Sequence, residues 1–531
     1  MKSTLALCLV SLSLAIGPGI ALGQSAGPGA TGSADARLGS PDCRPTPERP
    51  IGWRGDGTGR YPGATPPLAW SRTRAADGGW QTTGIVWAAR LPHASVASPI
   101  VVGDRIFVTS EVNDLACLDK RTGRVLWLRS SAEFEGLPAG ELGTNAVLAG
   151  RLEPLMQELA RTNDAVVAAL NAGQEKGIDS AVAAKRAIEK RVQDIQLSVD
   201  KKKFERYWGQ AVFGFSGPTP TSDGRRVYVF YTTGIVACYD LDGKRLWIHR
   251  GRGGCSEHGN FASPLLCGNR LAVWAAELRG YDAETGAVAW TNPAHAENTY
   301  GSLFRVDSGG EAVAAFQSGY FTRVRDGKAI WGEMAFGNAT ATPIVENGTI
   351  YAWVGYPRNA QGLGFKAYPV PAATDDAKLK PAFTFTIDWA GDELPADKDK
   401  HPFDRSYTAS PLFVDGLIYQ LTEGGGLTVN DAATGALVYR KVLALKPRTQ
   451  YWNWAGASAS PTLAGRYIYL FDNQGSAIIL KPGRTYEEAG RNELQEFSDG
   501  KTQELNLTTP VFEGRFLYYR TPRCLYCIGG P

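Results

Sequence analysis

The stretch ASPIVVGDRIFVTSEVNDLACLDKRTGRVLW, residues 97–127, decides the fold. Ala97-Ser98-Pro99 leads into the apolar run Ile100 to Val102, Gly103-Asp104 breaks it, and Arg105 to Ser110 resumes it. Leu115 to Asp119 is a third run, Thr122-Gly123 a second break, and Arg124 to Trp127 a fourth run. Short β-branched and apolar runs separated by glycine-containing pairs read as antiparallel strands joined by tight hairpins, because glycine supplies the positive φ that such turns need. The stretch therefore predicts a four-stranded meander.

The pattern recurs along the chain. Thr219-Pro220 leads through Tyr228 and Cys238 to Gly243 and Trp247, and Ser263-Pro264 leads through Gly268 and Tyr281 to Gly286 and Trp290. A weaker copy runs from Gly301-Ser302 to Trp331, and Thr342-Pro343 begins another with Trp389 as its distant closing aromatic. Ser410-Pro411, Ser460-Pro461 and Thr509-Pro510 open the last three, which makes eight copies. A lone meander leaves two apolar faces and two edges unpartnered; packing copies face to face in a ring buries the faces. The last copy ends at Cys527-Ile528 without a fourth strand, and an orphan strand near 84–91 carries the missing Trp87. The expectation is an all-β, eight-bladed β-propeller over residues 51–531, closed where that N-terminal strand completes the final blade.

Composition agrees. The 531 residues are 43% hydrophobic and 21% charged, with 62 Gly and 31 Pro, which excludes a disordered polymer and suits a turn-rich fold. Lys and Arg number 56 against 53 Asp and Glu, so no basic excess points to nucleic acid. Lys2, the apolar run Leu5 to Ile16 and Ala21-Leu22-Gly23 read as a secretory signal over 1–23, followed by a flexible Gly- and Pro-rich leader over 24–50. No later apolar stretch is long enough to span a membrane. These features predict an exported protein, periplasmic or extracellular. Seven cysteines follow Cys8, an odd number, and few or no structural bridges are expected.

Residues 131–212 break the repeat. Leu148, Leu152, Leu155, Leu159, Val166 and Leu170, and then Ala181, Ala184, Ile188, Ile195 and Val199, recur at helical spacing and predict an inserted helical hairpin. It reads as a surface decoration or a partner-docking arm. Its basic residues Lys185, Arg186, Lys190 and Arg191 are interrupted by Glu189 and Asp194, against a nucleic-acid role.

The Ser/Thr-Pro start, the Ala-Cys-Leu-Asp third strand, the Thr-Gly turn and the closing Trp resemble the PQQ-like (pyrrolo-quinoline quinone repeat) propeller family, over roughly residues 83–530. That family includes quinoprotein alcohol dehydrogenases, a lipoprotein scaffold of outer-membrane protein assembly and many exported bacterial proteins. The resemblance implies that the repeated Trp is a blade-packing device. Its enzymatic members typically carry a vicinal Cys-Cys pair beside a calcium-bound quinone, and no two cysteines are adjacent here. Cys524 and Cys527 are spaced C-x-x-C, but Cys527 falls at the packing position of Cys117 and Cys238. His249, Cys255 and His258 share one loop without the spacing of a zinc site, and no metal is expected.

Loops from each fourth strand to the next first strand share one face of a propeller, at the central channel. Candidate ligand-binding residues on that face are Arg252, His258, Asn260, Asn298, Tyr300, Asp404, Arg405, Trp452 and Trp454. The indoles of Tyr451-Trp452-Asn453-Trp454 suit a flat ligand or a sugar, or else pack against a neighbouring blade. The leading reading is a non-catalytic scaffold that binds a protein partner or an extracellular small molecule or glycan through this face, with no cofactor. The alternative is an oxidoreductase acting on alcohols or sugars, with PQQ and calcium over the channel. A hydrolase or lyase using Asp404 and His258 is a third.

Overall fold

The computed structural model describes residues 36–138, 140–141, 146–206, 214–251, 253, 261–293, 300–316, 319–331, 341–354, 364–372, 379–386, 409–445, 457–495 and 506–530. Among the described residues the strands form eight sheets, seven of four strands and one of seven, and seven of the eight hold one consecutive meander. Blades 1 to 7 span 100–130, 221–250, 265–292, 304–330, 344–386, 412–442 and 462–494. Blade 8 takes three strands from 511–529 and its fourth, Ile85–Arg90, from the other end of the chain. There Cys524 pairs with Arg90, Cys527 with Trp87 and Ile528 with Ile85, so the seam joins the two termini.

A ring of hydrogen bonds holds the blades around the axis. The residue that opens each copy donates its amide to the hydroxyl of the equivalent residue in the next blade. Ser98 donates to Thr219 (3.2 Å), Thr219 to Ser263 (3.1 Å), Ser263 to Ser302 (3.4 Å) and Ser302 to Thr342 (2.9 Å). Thr342 donates to Ser410 (3.0 Å), Ser410 to Ser460 (3.0 Å), Ser460 to Thr509 (3.3 Å), and Thr509 back to Ser98 (2.9 Å). All eight bonds are buried, and a buried amide needs a partner. In seven of the eight copies the next residue is proline, which keeps the Ser or Thr before it extended; blade 4 has Leu303 instead.

A second device locks neighbouring blades at the rim. Trp87, Trp127, Trp247 and Trp290 each lie on the turn between the last two strands of the next blade. A Cβ on Gly123, Gly243, Gly286 or Gly327 would come within 2.6, 2.8, 2.6 or 2.5 Å of the respective indole. Each of these glycines also has a positive φ, so space and backbone both demand glycine. The four indoles donate to the carbonyls of Lys120 (3.2 Å), Leu241 (3.3 Å), Ala283 (3.2 Å) and Val324 (2.8 Å). The aspartate before the turn fixes its shape: Asp119 Oδ1 accepts from the Thr122 amide (2.7 Å) and hydroxyl (2.6 Å), and Asp282 and Asp431 repeat the arrangement.

The insertion is a helical hairpin of α1 (Ala146–Ala172) and α2 (Glu175–Val199), followed by α3 (Lys201–Phe204). Val166, Leu170 and Ile178 share one core with Ile106, Val108 and Leu118 of blade 1 and Tyr518, Leu525 and Cys527 of blade 8. Asn171 accepts the Val125 amide and donates to the Val125 carbonyl, both at 2.9 Å, which satisfies the outer edge of blade 1. Glu175 meets Arg90 of the closing strand at 3.2 Å. The hairpin therefore buttresses the seam.

The structure differs from the sequence reading in residues 36–50, expected as part of a flexible leader. They lie against the blades and continue into 51–64 as one strap. The turn amides of Gly514, Gly268 and Gly465 donate to Gly39 (2.7 Å), Pro47 (3.0 Å) and Tyr61 (3.0 Å) of the strap, and Ile51 exchanges two bonds with Ser222. Gly- and Pro-rich composition lets backbone approach backbone here, so it signals close contact instead of freedom. Further on, Ser71–Arg74 and Trp80–Thr83 extend blade 7 outward, Ser71–Arg74 pairing in parallel with Glu488–Leu494. Trp389, expected to close blade 5, lies outside the described residues; the fourth strand observed there is Phe383–Thr386.

The ring can be tested at one link. Thr342→Val keeps the side-chain shape but leaves the buried Ser302 amide without its acceptor, at a cost of about 1–3 kcal/mol. This should appear as a lower denaturant midpoint with unchanged slope. Val442→Thr on the exposed outer strand of blade 6 should shift stability by less than about 0.5 kcal/mol.

Candidate functional site

In each meander the first-to-second-strand turns face one end of the channel, and the starts of the innermost strands, where the ring residues lie, face the other. Of the residues expected at the loop face, Arg252, His258, Asn260, Asn298, Asp404, Arg405, Trp452 and Trp454 lie outside the described residues. Tyr300 is described, half-buried, two positions before the ring residue Ser302. Other polar groups at that end are engaged structurally. The Glu111 carboxylate accepts from the amides of Phe215 and Ser216 (2.8 Å each) and from the Ser216 hydroxyl. Arg520, fully buried, links blade 8 to blade 1 by donating to the Thr109 carbonyl at 2.6 Å.

The turn end carries a pocket of about 390 Å³ between the strap and the inner strands of blades 2 to 6. Its apolar lining comes from Leu266, Leu303, Phe304 and Ile344, with Phe413 and the strap's Trp53. The strap is anchored across the axis by Arg54, whose two terminal nitrogens donate to the carbonyls of Pro411 and Pro461, both at 2.9 Å. These prolines follow directly on two ring residues. Gly59 has a φ of 71°, and a Cβ there would fall 2.4 Å from the Arg54 guanidinium, so glycine lets the strap fold over its own anchor. Burial lowers the Arg54 pKa to about 10, against the pull of Tyr61 and Asp56; the group remains a cation at neutral pH.

Two ion pairs stand at the pocket. Arg60 of the strap meets Glu346 of blade 5 at 2.7 Å, and Arg305 meets Asp307 within blade 4 at 2.7 Å. Burial raises the Cys43 thiol, with Arg49 opposing, so the thiol lining this pocket stays protonated. The pocket thus sets an apolar floor beside two ion pairs and a protonated thiol. The six described cysteines are free thiols. Cys524 and Cys527 are three apart on one strand, so their side chains point to opposite faces. Burial pushes Cys117 and Cys527 up to about 12, in keeping with their packing role.

Sequence reasoning missed this pocket because the strap was assigned partly to the leader. The available signal was Trp53-Arg54-Gly55-Asp56-Gly57-Thr58-Gly59-Arg60-Tyr61, whose aromatic and arginine content is unlike a linker's.

Compared with known proteins, residues 79–199 and 196–361 match the family profile described as outer membrane protein assembly factor BamB. No curated protein matches in sequence. Similar solved structures include BamB from Moraxella catarrhalis, with 12% identity, 84% of this chain and 97% of that chain covered, and a TM-score of 0.47. The quinohemoprotein alcohol dehydrogenase from Comamonas testosteroni also has 12% identity, with 84% and 77% covered and a TM-score of 0.45. The computationally designed Ika8 protein has 9% identity, 84% and 100% covered, and a TM-score of 0.46. Likeness at this level carries no argument about activity.

The anchoring of the strap gives a prediction. Arg54→Ala removes two buried hydrogen bonds and leaves a cavity under the strap, a loss of about 2–4 kcal/mol of local stability. Trypsin should then cut after Arg60, which Tyr61 follows, at least about tenfold faster than in the wild type, while fragments from blades 2 to 4 keep their resistance.

Proposed function

Given that the chain belongs to the PQQ-like repeat β-propeller family matched by the BamB profile, we propose that it is an exported, non-catalytic scaffold. It binds a protein segment or small ligand at the strapped end of its channel. The observation that carries this reading is the pocket itself: an apolar floor from several blades, one wall supplied by the strap, and the Arg60–Glu346 and Arg305–Asp307 ion pairs beside it. Export rests on the charged, apolar and small-residue pattern of 1–23. The opposite loop face, with Trp452, Trp454, Asp404 and Arg405, is proposed as a second contact surface.

The test is site-specific photo-crosslinking in the producing cell. A benzophenone amino acid at Phe413, partly exposed in the pocket, should give discrete adducts, while the same group at Val442 on the blade 6 rim should give none. Adducts at Val442 with none at Phe413 would assign binding elsewhere. Added PQQ with calcium should leave the thermal midpoint unchanged; a saturable rise, with dye reduction on an alcohol or sugar, would favour a dehydrogenase instead.

A further inference from the structure

The helical hairpin is fastened to the propeller by an ionic cluster that the binding function does not use. Lys185 of α2 lies between two carboxylates, 2.7 Å from Asp114 of blade 1 and in contact with Glu189 one helical turn further on. The side chains of Lys185 and Asp114 are 3% and 1% exposed, while Glu189, at 21%, sits where the cluster reaches solvent. Ser130 donates to Asp114 at 2.6 Å and accepts from Asn163 of α1 at 3.1 Å, so α1, α2 and blade 1 all meet here.

Two carboxylates share one ammonium. Full ionisation leaves an extra negative charge in a desolvated place, a cost that the single lysine does not cancel. Other charged and titratable neighbours are Glu111 of blade 1, which repels Asp114, and Arg206 beyond α3, which attracts Glu189. His93, in the crossing from blade 8 to blade 1, is bonded to Arg186, and burial with Arg186 and Lys185 keeps it neutral by lowering its pKa to about 3.

We propose that Asp114, Lys185 and Glu189 form a proton-operated latch, which holds the hairpin on blade 1 and the seam in acidic surroundings and loosens it in alkaline ones. Burial pushes the Glu189 carboxyl up to about 7, against the pull of Lys185, and raises Asp114 in the same direction. A carboxyl raised on docking takes up a proton as the hairpin docks. Its contribution to docking is complete below its ordinary range near 4.5 and is lost as pH climbs through about 7. The hairpin it fastens also packs on blade 8 through Val166, Leu170 and Ile178 and meets Arg90 of the closing strand through Glu175, so the same titration reaches the closure of the ring.

Hydrogen exchange of the full chain tests this, with rates corrected for intrinsic pH dependence. Between about pH 5.5 and 8.5, protection of peptides within 160–192 should fall at least about fivefold, while peptides of blade 4 stay level. Glu189→Gln, which mimics the protonated form, should hold hairpin protection at its acidic value throughout. Exposed Lys190→Gln, a control one residue away, should keep the wild-type response. A hairpin equally protected at both pH values, or a Glu189→Gln variant with undiminished dependence, would overturn the proposal.

Discussion

Everything in this molecule depends on eight backbone amides at the axis finding acceptors. Strands that begin at the hub of a ring have no sheet neighbour there, and their amides are too buried to be left to water. The chain answers with a hydroxyl at the same place in every copy, so that each blade satisfies its neighbour. Such a circuit exists only when it is complete: from Ser98 round to Thr509 and back to Ser98. The seam between chain ends, the indoles at the rim and the helical buttress all hold that circle shut.

The division of labour follows from geometry. Near the axis, blades converge and small residues fit, so serine and threonine serve. At the rim they diverge and the gap must be filled, which an indole does by lying on a glycine turn and donating to its carbonyl. The same widening leaves the outer strands with open edges. Blade 1 has its edge covered by Asn171, and blade 7 by an added hairpin from the N-terminal region. The strap solves the complementary problem at the hub, where Arg54 reaches the carbonyls beside two ring residues and leaves an open pocket over the inner strands of blades 2 to 6.

Much of this was legible in the sequence. Ser-Pro and Thr-Pro mark the start of seven copies, and the same residues prove to be ring donors and acceptors; the eighth, Ser302, lacks the proline and belongs to the copy that looked weakest. The closing strand was legible because Trp87 stands alone before the first copy, and the hairpin because leucines recur at helical spacing. The first part of the strap was not, since residues 39 and 47 are held by backbone-to-backbone bonds that leave no side-chain signature; only the aromatic and arginine content of 53–61 pointed to it. Nor was the Asp114–Lys185–Glu189 cluster: Lys185 and Glu189 resemble an ordinary surface pair at i and i+4 until Asp114 is brought up from another element. Trp452, Trp454, Asp404 and Arg405, expected at the channel face, lie outside the described residues.

The closure of the circle is most directly tested by trapping its seam. Arg90 and Cys524 are paired across the joining strands, so their side chains share one face at a separation that a disulfide spans. In an Arg90→Cys variant under mild oxidation, the account predicts a bond from residue 90 to Cys524, seen as a linked pair of tryptic peptides from opposite ends of the chain. Persistence of both as free thiols, or a link from residue 90 to some other cysteine, would contradict it.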